Sequence, residues 1–144
     1  MSLLISASLL NEIHKHGETA YPDEGAGFLL GLADGMNKKI QKLLLLTNAR
    51  QVTERYNRYL LTPENFLSAE LQADRENLEI LGVFHSHPDH PNQPSAYDLE
   101  WALPQMSYMI TSVIKGKAVE SRSWVLNEDR SKFVSEELLL PNGK

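Results

Sequence analysis

The sequence predicts a single α/β domain over residues 1–144, a curved mixed sheet flanked by helices. Three observations carry that expectation. Segments with apolar residues at helical spacing alternate with short apolar runs of strand length. Gly, Pro and Asp-Gly signals separate them. The 144 residues are 42% hydrophobic and 23% charged, an ordinary globular balance in a chain able to bury about two-thirds of its unfolded surface. No repeat, low-complexity tract or linker divides the chain.

The elements follow in order. Residues 3–5 read as a short strand. Ser6 caps a helix over 7–20, since Leu9, Leu10, Ile13, Gly17 and Ala20 fall on one face, and Pro22 ends it. Residues 27–32 read as a buried strand, and Asp34-Gly35 turns the chain into another over 40–46. The polar stretch 47–55 reads as a loop, followed by a strand near 56–61. Thr62-Pro63-Glu64 starts a helix, with Thr as cap and Pro at its first position. Phe66, Leu67, Leu71 and Leu78 are expected on its inner face. After a strand at 80–84 and a loop over 88–94, a short helix runs from 95 to about 103, closed by Pro104. Residues 109–114 and 118–126 form a hairpin around Lys115-Gly116, and 132–140 is a last strand or short helix.

Composition excludes several classes. With no cysteine there is no disulfide framework, thiolate zinc cluster or thiol nucleophile. No Lys or Arg precedes Lys15, so the start lacks the basic flank of a secretory signal. Apolar runs such as 43–46 are too short to cross a bilayer. A net charge of −5 opposes non-specific nucleic-acid binding. The expectation is a cytoplasmic protein with no nucleic-acid or membrane partner.

The chemistry concentrates in residues 83–98. His85 and His87 stand at i and i+2 on a strand, which points both imidazoles to one face. Pro88, Pro91 and Pro94 stop regular structure and force a loop. Ser95 and Asp98 then stand at i and i+3, on one side of a helix's first turn. Singly, each histidine reads as an ordinary surface or core residue. Together with Asp98 they form a three-ligand set suited to zinc, with a fourth position open to water. Ser95-x-x-Asp98 is also a capping-box-like pattern, so the pair has a purely structural reading as well. Glu24 reads either as a solvated turn carboxylate beside Asp23 or as a site residue before a Gly-rich strand. His90 reads as solvated, and His14 and His16 as boundary residues of the first helix.

His-x-His-Pro, six residues, then Ser-x-x-Asp resembles the signature of the JAMM metallopeptidases, the catalytic branch of the MPN-domain proteins. His85, His87, Pro88, Ser95 and Asp98 each match. Upstream, Glu24 precedes Gly25-Ala26-Gly27-Phe28-Leu29-Leu30-Gly31, which is similar to the Gly-rich strand of that family. Ala26 and Phe28 stand where its members often have Cys and Leu. The resemblance implies the same curved mixed sheet, cytidine-deaminase-like in form. It implies one Zn2+ per chain on His85, His87 and Asp98, Glu24 as general base, and Ser95 as a stabiliser of the oxyanion. The implied reaction cleaves a peptide or isopeptide bond after the C-terminal glycine of a ubiquitin-like protein. This short chain resembles minimal prokaryotic members, associated with sulfur-carrier proteins ending in Gly-Gly, whose leaving group can be an amino acid such as cysteine. A non-catalytic MPN scaffold and a zinc hydrolase of small amides are the alternatives. Scaffolds characteristically lose ligands that this chain keeps. The oligomeric state is not legible in the sequence.

Overall fold

The computed structural model describes residues 1–46, 62–100 and 102–141. The loop and strand expected at 47–55 and 56–61 lie outside the described residues. Along the chain run β1 (Ser2–Leu4), α1 (Ala7–Ala20), β2 (Ala26–Asp34), β3 (Asn37–Leu46), α2 (Pro63–Arg75), β4 (Glu79–Pro88), α3 (Ala96–Glu100), β5 (Ser107–Ile114), β6 (Lys117–Leu126) and β7 (Phe133–Leu139). The expected α/β mixed sheet is present, curved far enough to close on itself in the order β1-β3-β2-β4-β5-β6-β7. The pairs β1–β3, β1–β7 and β4–β5 are parallel, and the others antiparallel. The last segment resolves as a strand, β7, and it pairs with the three-residue β1 to make the seam.

Local chemistry starts and stops these elements as expected. Ser6 Oγ accepts from the Leu9 N–H at 3.1 Å and caps α1. Thr62 and Asn65 exchange side-chain and backbone hydrogen bonds in a capping box that opens α2. Lys115 and Gly116 both take positive φ, which suits a two-residue hairpin turn between β5 and β6.

The helices cover opposite faces of the sheet. Phe28 and Leu30 of β2 pack with Ala69 and Ala73 of α2, together with Val83 and Tyr108. Leu29, pointing the other way, joins Leu3, Ile5, Met109 and Ile13 of α1. Burial on both faces is why β2 reads as one unbroken apolar run. Each buried Val, Leu, Ile, Phe or Met among them contributes about 1.5–3 kcal/mol.

Two expectations are corrected. Leu67 and Leu71 of α2 are 57% and 53% exposed, while Ala69 and Ala73 are buried beside the half-buried Phe66 and Leu78. The helix approaches β2 and β4 through small residues, and a step of about 100° per residue turns both leucines outward. The second correction is to α3, described over Ala96–Glu100, which does not extend to Ala102 or Leu103. Leu103 instead gives its N–H to the Tyr108 hydroxyl at 2.7 Å, which draws the backbone out of the helix before Pro104.

One irregularity aims the site. Leu29 pairs with Gly82 and Leu30 with Ile80, so Leu81 is an extra residue in β4. The bulge resets the alternation. Val83, His85 and His87 then share the α2 face, while Phe84 and Ser86 face α1.

Candidate metal centre

β4 carries its two histidines to the end of the sheet, where Ala26 and Ile110 flank His85 and Ser112 pairs with His87. Both imidazoles are buried. Their Nε2 atoms lie 3.1 Å apart. Asp98, buried in the first turn of α3, places Oδ1 3.2 Å from His85 Nε2 and Oδ2 3.3 Å from His87 Nε2. Four-coordinate zinc, about 2 Å from each ligand, has ligand–ligand edges of roughly 3.3 Å. The donor set therefore fits a metal ion. Among the described residues, these three side chains bring ligand atoms within 4.8 Å of one another.

The surroundings set each ligand's direction. His87 Nδ1–H donates to the Pro91 carbonyl at 2.8 Å, which leaves the Nε2 lone pair facing the cluster. The proline loop that supplies this carbonyl is itself latched. Asp89 accepts from the Lys115 N–H at 2.7 Å and from the Tyr21 hydroxyl at 2.6 Å. The Ser112 hydroxyl donates to the His90 carbonyl at 2.7 Å. Buried Asn92 donates to the Glu120 carbonyl, and its own carbonyl accepts from Trp124 Nε1 at 3.0 Å.

Asp98 is aimed by the capping box. The Ser95 N–H donates to Asp98 Oδ2 at 2.7 Å, and the Asp98 N–H donates to Ser95 Oγ at 3.1 Å. The structural reading of this pair therefore holds. Ser95 is also exposed, and a hydroxyl that accepts one hydrogen bond still has a proton to give.

Protonation suits ligation. Burial alone would raise Asp98, but the proximity of His85 and His87 and the hydrogen bond from the Ser95 N–H outweigh it, holding the carboxyl well below the usual range. Burial lowers His85, more than Asp98 raises it. A neutral imidazole and an ionised carboxylate are the forms that bind metal.

Glu24 stands half-buried at the entry to β2, two residues before Ala26, which pairs with His85. It is outside the three-ligand cluster. His90 is exposed, as expected. His14 bonds Ser121 Oγ at 2.9 Å, and His16 Nε2 lies 3.2 and 3.1 Å from the carbonyls of Ala26 and Leu46. Sequence reasoning missed Ser86, Tyr21, Asn92 and Trp124. Ser86 had one available signal, its opposite parity between two ligands. Tyr21 and Asp89 meet across 68 residues, and no periodicity marks such a pair.

A closed mixed sheet between two helices, with two imidazoles and a carboxylate converging at a strand end, defines a metal-binding domain of the JAB/MPN type. The chain belongs to the prokaryotic homologues of the JAB domain, whose sequence profile matches residues 6–127. It is 30% identical over 105 residues to the desampylase of Pyrococcus furiosus, spanning 73% of this chain and 68% of that protein. It is 30% identical over 108 residues to a probable TtuB-protein conjugate cleaving protease of Thermus thermophilus, spanning 75% and 68%. A solution structure of a protein from Salinibacter ruber shares 38% identity over all of this chain and 94% of that one, with a TM-score of 0.75. Among the described residues, no helix is long and apolar enough to cross a membrane.

Proposed function

We propose that this chain is a zinc-dependent peptidase of ubiquitin-like conjugates. It hydrolyses the peptide or isopeptide bond after the C-terminal glycine of a ubiquitin-like or sulfur-carrier protein ending in Gly-Gly. It acts as one domain over residues 1–144, with one zinc per chain, in the cytoplasm. The observation that carries the reading is the convergence of His85 Nε2, His87 Nε2 and the Asp98 carboxylate within 3.1–3.3 Å. The similarity to two proteins named for cleaving such conjugates supports the substrate class.

His85, His87 and Asp98 hold the metal, and the Ser95 N–H and the Pro91 carbonyl keep Asp98 and His87 in position. Zinc bound there supplies a water of lowered pKa, near ~7, and a polarised carbonyl. Glu24 takes a proton from the attacking water as its oxygen bonds to the carbonyl carbon. It returns that proton to the amine nitrogen as the C–N bond breaks. The Ser95 hydroxyl donates to the carbonyl oxygen as negative charge develops there.

The test uses the zinc-loaded protein and a ubiquitin-like donor joined through Gly-Gly to an amine. Wild type is expected to release the amine. Glu24→Gln is expected to keep its zinc and lose at least ~100-fold in kcat, the lower end for removal of a general base. Wild-type turnover by Glu24→Gln would place the base elsewhere. Cleavage of small amides alone would replace the conjugate reading, and absence of bound zinc would leave a scaffold.

A further inference from the structure

The residue between the two histidines has a separate task. We infer that Ser86 is a positioning residue, which ties the backbone carrying Glu24 to the strand carrying His85 and His87. The inference rests on the reading of Glu24 as general base.

Ser86 is buried and, by strand alternation, faces away from the imidazoles. On that side it takes hold of Gly25 at both polar backbone atoms. Its Oγ accepts from the Gly25 N–H at 2.8 Å, and its own N–H donates to the Gly25 carbonyl at 2.9 Å. The second bond continues the β2–β4 ladder by one step past the Ala26–His85 pair. The first does not belong to any ladder. It fills the place that a partner strand would otherwise supply for an amide leaving regular structure.

The packing around this clamp is close. A Cβ on Gly25 would stand 3.2 Å from the His16 carbonyl oxygen, from His16 Cδ2 and from Ala20 Cβ. A Cβ on Gly17 of α1 would stand 3.2 Å from Ser86 Cβ and 3.1 Å from Val113 Cγ2. Gly25 is therefore wedged between α1 and β4, and α1 presses on the back of Ser86. Glu24 is the next residue. With Gly25 held at both atoms by Ser86, Glu24 leaves the β4 strand end from a defined point and in a defined direction. Base and ligand strand thus form one rigid unit. The functional consequence follows from the sensitivity of catalysis to position, since a displacement near 1 Å can cost ~100-fold in rate.

The clamp is tested in the protein itself and in a double-mutant cycle. In the wild type, metal-free or zinc-loaded, hydrogen exchange by NMR should find the Gly25 amide protected like the β4 amide of Val83, although Gly25 precedes β2. Ser86→Ala should speed Gly25 exchange at least ~10-fold while leaving zinc content and KM unchanged. Its kcat should fall ~10- to 100-fold on the Gly-Gly-linked donor. Introduced into Glu24→Gln, the same change should cost less than ~2-fold more, because the group it positions has already lost its function. Rapid Gly25 exchange in the wild type would overturn the clamp whether or not the variant folds. A loss that multiplies with that of Glu24→Gln would also overturn it, showing that Ser86 acts on the histidines or on the fold. Wild-type kcat for Glu24→Gln alone is a different result, which removes the base assignment itself.

Discussion

Two buried polar clusters sit at opposite ends of the sheet, and they solve the cost of burying charge in opposite ways. At the end where β4 and β5 run out, His85, His87 and Asp98 point three electron-pair donors at one another. At the start of β5, Lys38 Nζ reaches Ser107 Oγ at 2.7 Å and the Gln105 carbonyl at 3.0 Å, and lies 4.0 Å from Glu136 Oε2. Ser123 completes this second cluster by donating to Glu136 Oε1 at 2.7 Å. The second cluster contains its own cation, so it balances internally. The first is a set of acceptors and balances only around a cation from solution. Buried charge beside an internal counter-ion points to structure, whereas convergent lone pairs point to a ligand.

The comparison breaks first at the ligands. Replacing His85, His87 or Asp98 with Ala should abolish stoichiometric zinc binding and reduce hydrolysis to background, while the folded core persists. Elemental analysis with turnover on the same preparations checks this. Full zinc occupancy in all three variants would remove the site. No comparable change should follow at the other end, where Lys38→Met should keep both zinc and activity.

Lys38→Met should instead act on stability. It strands Glu136, whose side chain is fully buried, and breaking a buried pair from one side costs about 3–5 kcal/mol. Adding Glu136→Leu should recover most of that loss, because a well-packed apolar pair is often neutral or better. Denaturant unfolding of the single and double variants measures both effects. A double variant no more stable than Lys38→Met alone would mean that the network is needed for closing the sheet.

The smallest expected effect sharpens the contrast through pH. Burial holds His85 below its ordinary value. In metal-free protein the unfolded state then binds the extra proton once the pH falls below the ~6.5 of a free imidazole. Stability is therefore full above that point and declines as the pH falls from it towards the lowered folded value. Asp98, also held low, adds a second loss only below ~3.9, the unfolded carboxyl value. Denaturant midpoints of chelator-treated protein should thus slope downward as the pH falls below about 6.5, and His85→Gln should flatten that slope. A slope unchanged in the variant would assign it to other groups.

Residues 85–98 were legible because they are local. A strand's period of two puts His85 and His87 on one face, prolines end the strand, and a capping pattern starts the helix that aims Asp98. The same local rules gave the Ser6 and Thr62 caps and the Lys115-Gly116 turn. They were misleading for α2, where a face drawn from the largest side chains put Leu67 and Leu71 inside. Size marks a buried face only when the neighbouring surface leaves room for it, and here close approach selected Ala69 and Ala73.

What the sequence by itself determined is the α/β class and the grouping of His85, His87 and Asp98, whose residue types suit a metal ion. The tertiary structure alone decided that the sheet closes through the three-residue β1. It alone decided that the bulge at Leu81 turns both histidines to the α2 face, and that Ser86 meets Gly25 across 61 residues. It also brought Lys38 to Glu136. The physical reason is common to all of these. Spacing along the chain encodes direction within one element, whereas register and contact between distant elements arise from packing, to which every layer of the core contributes.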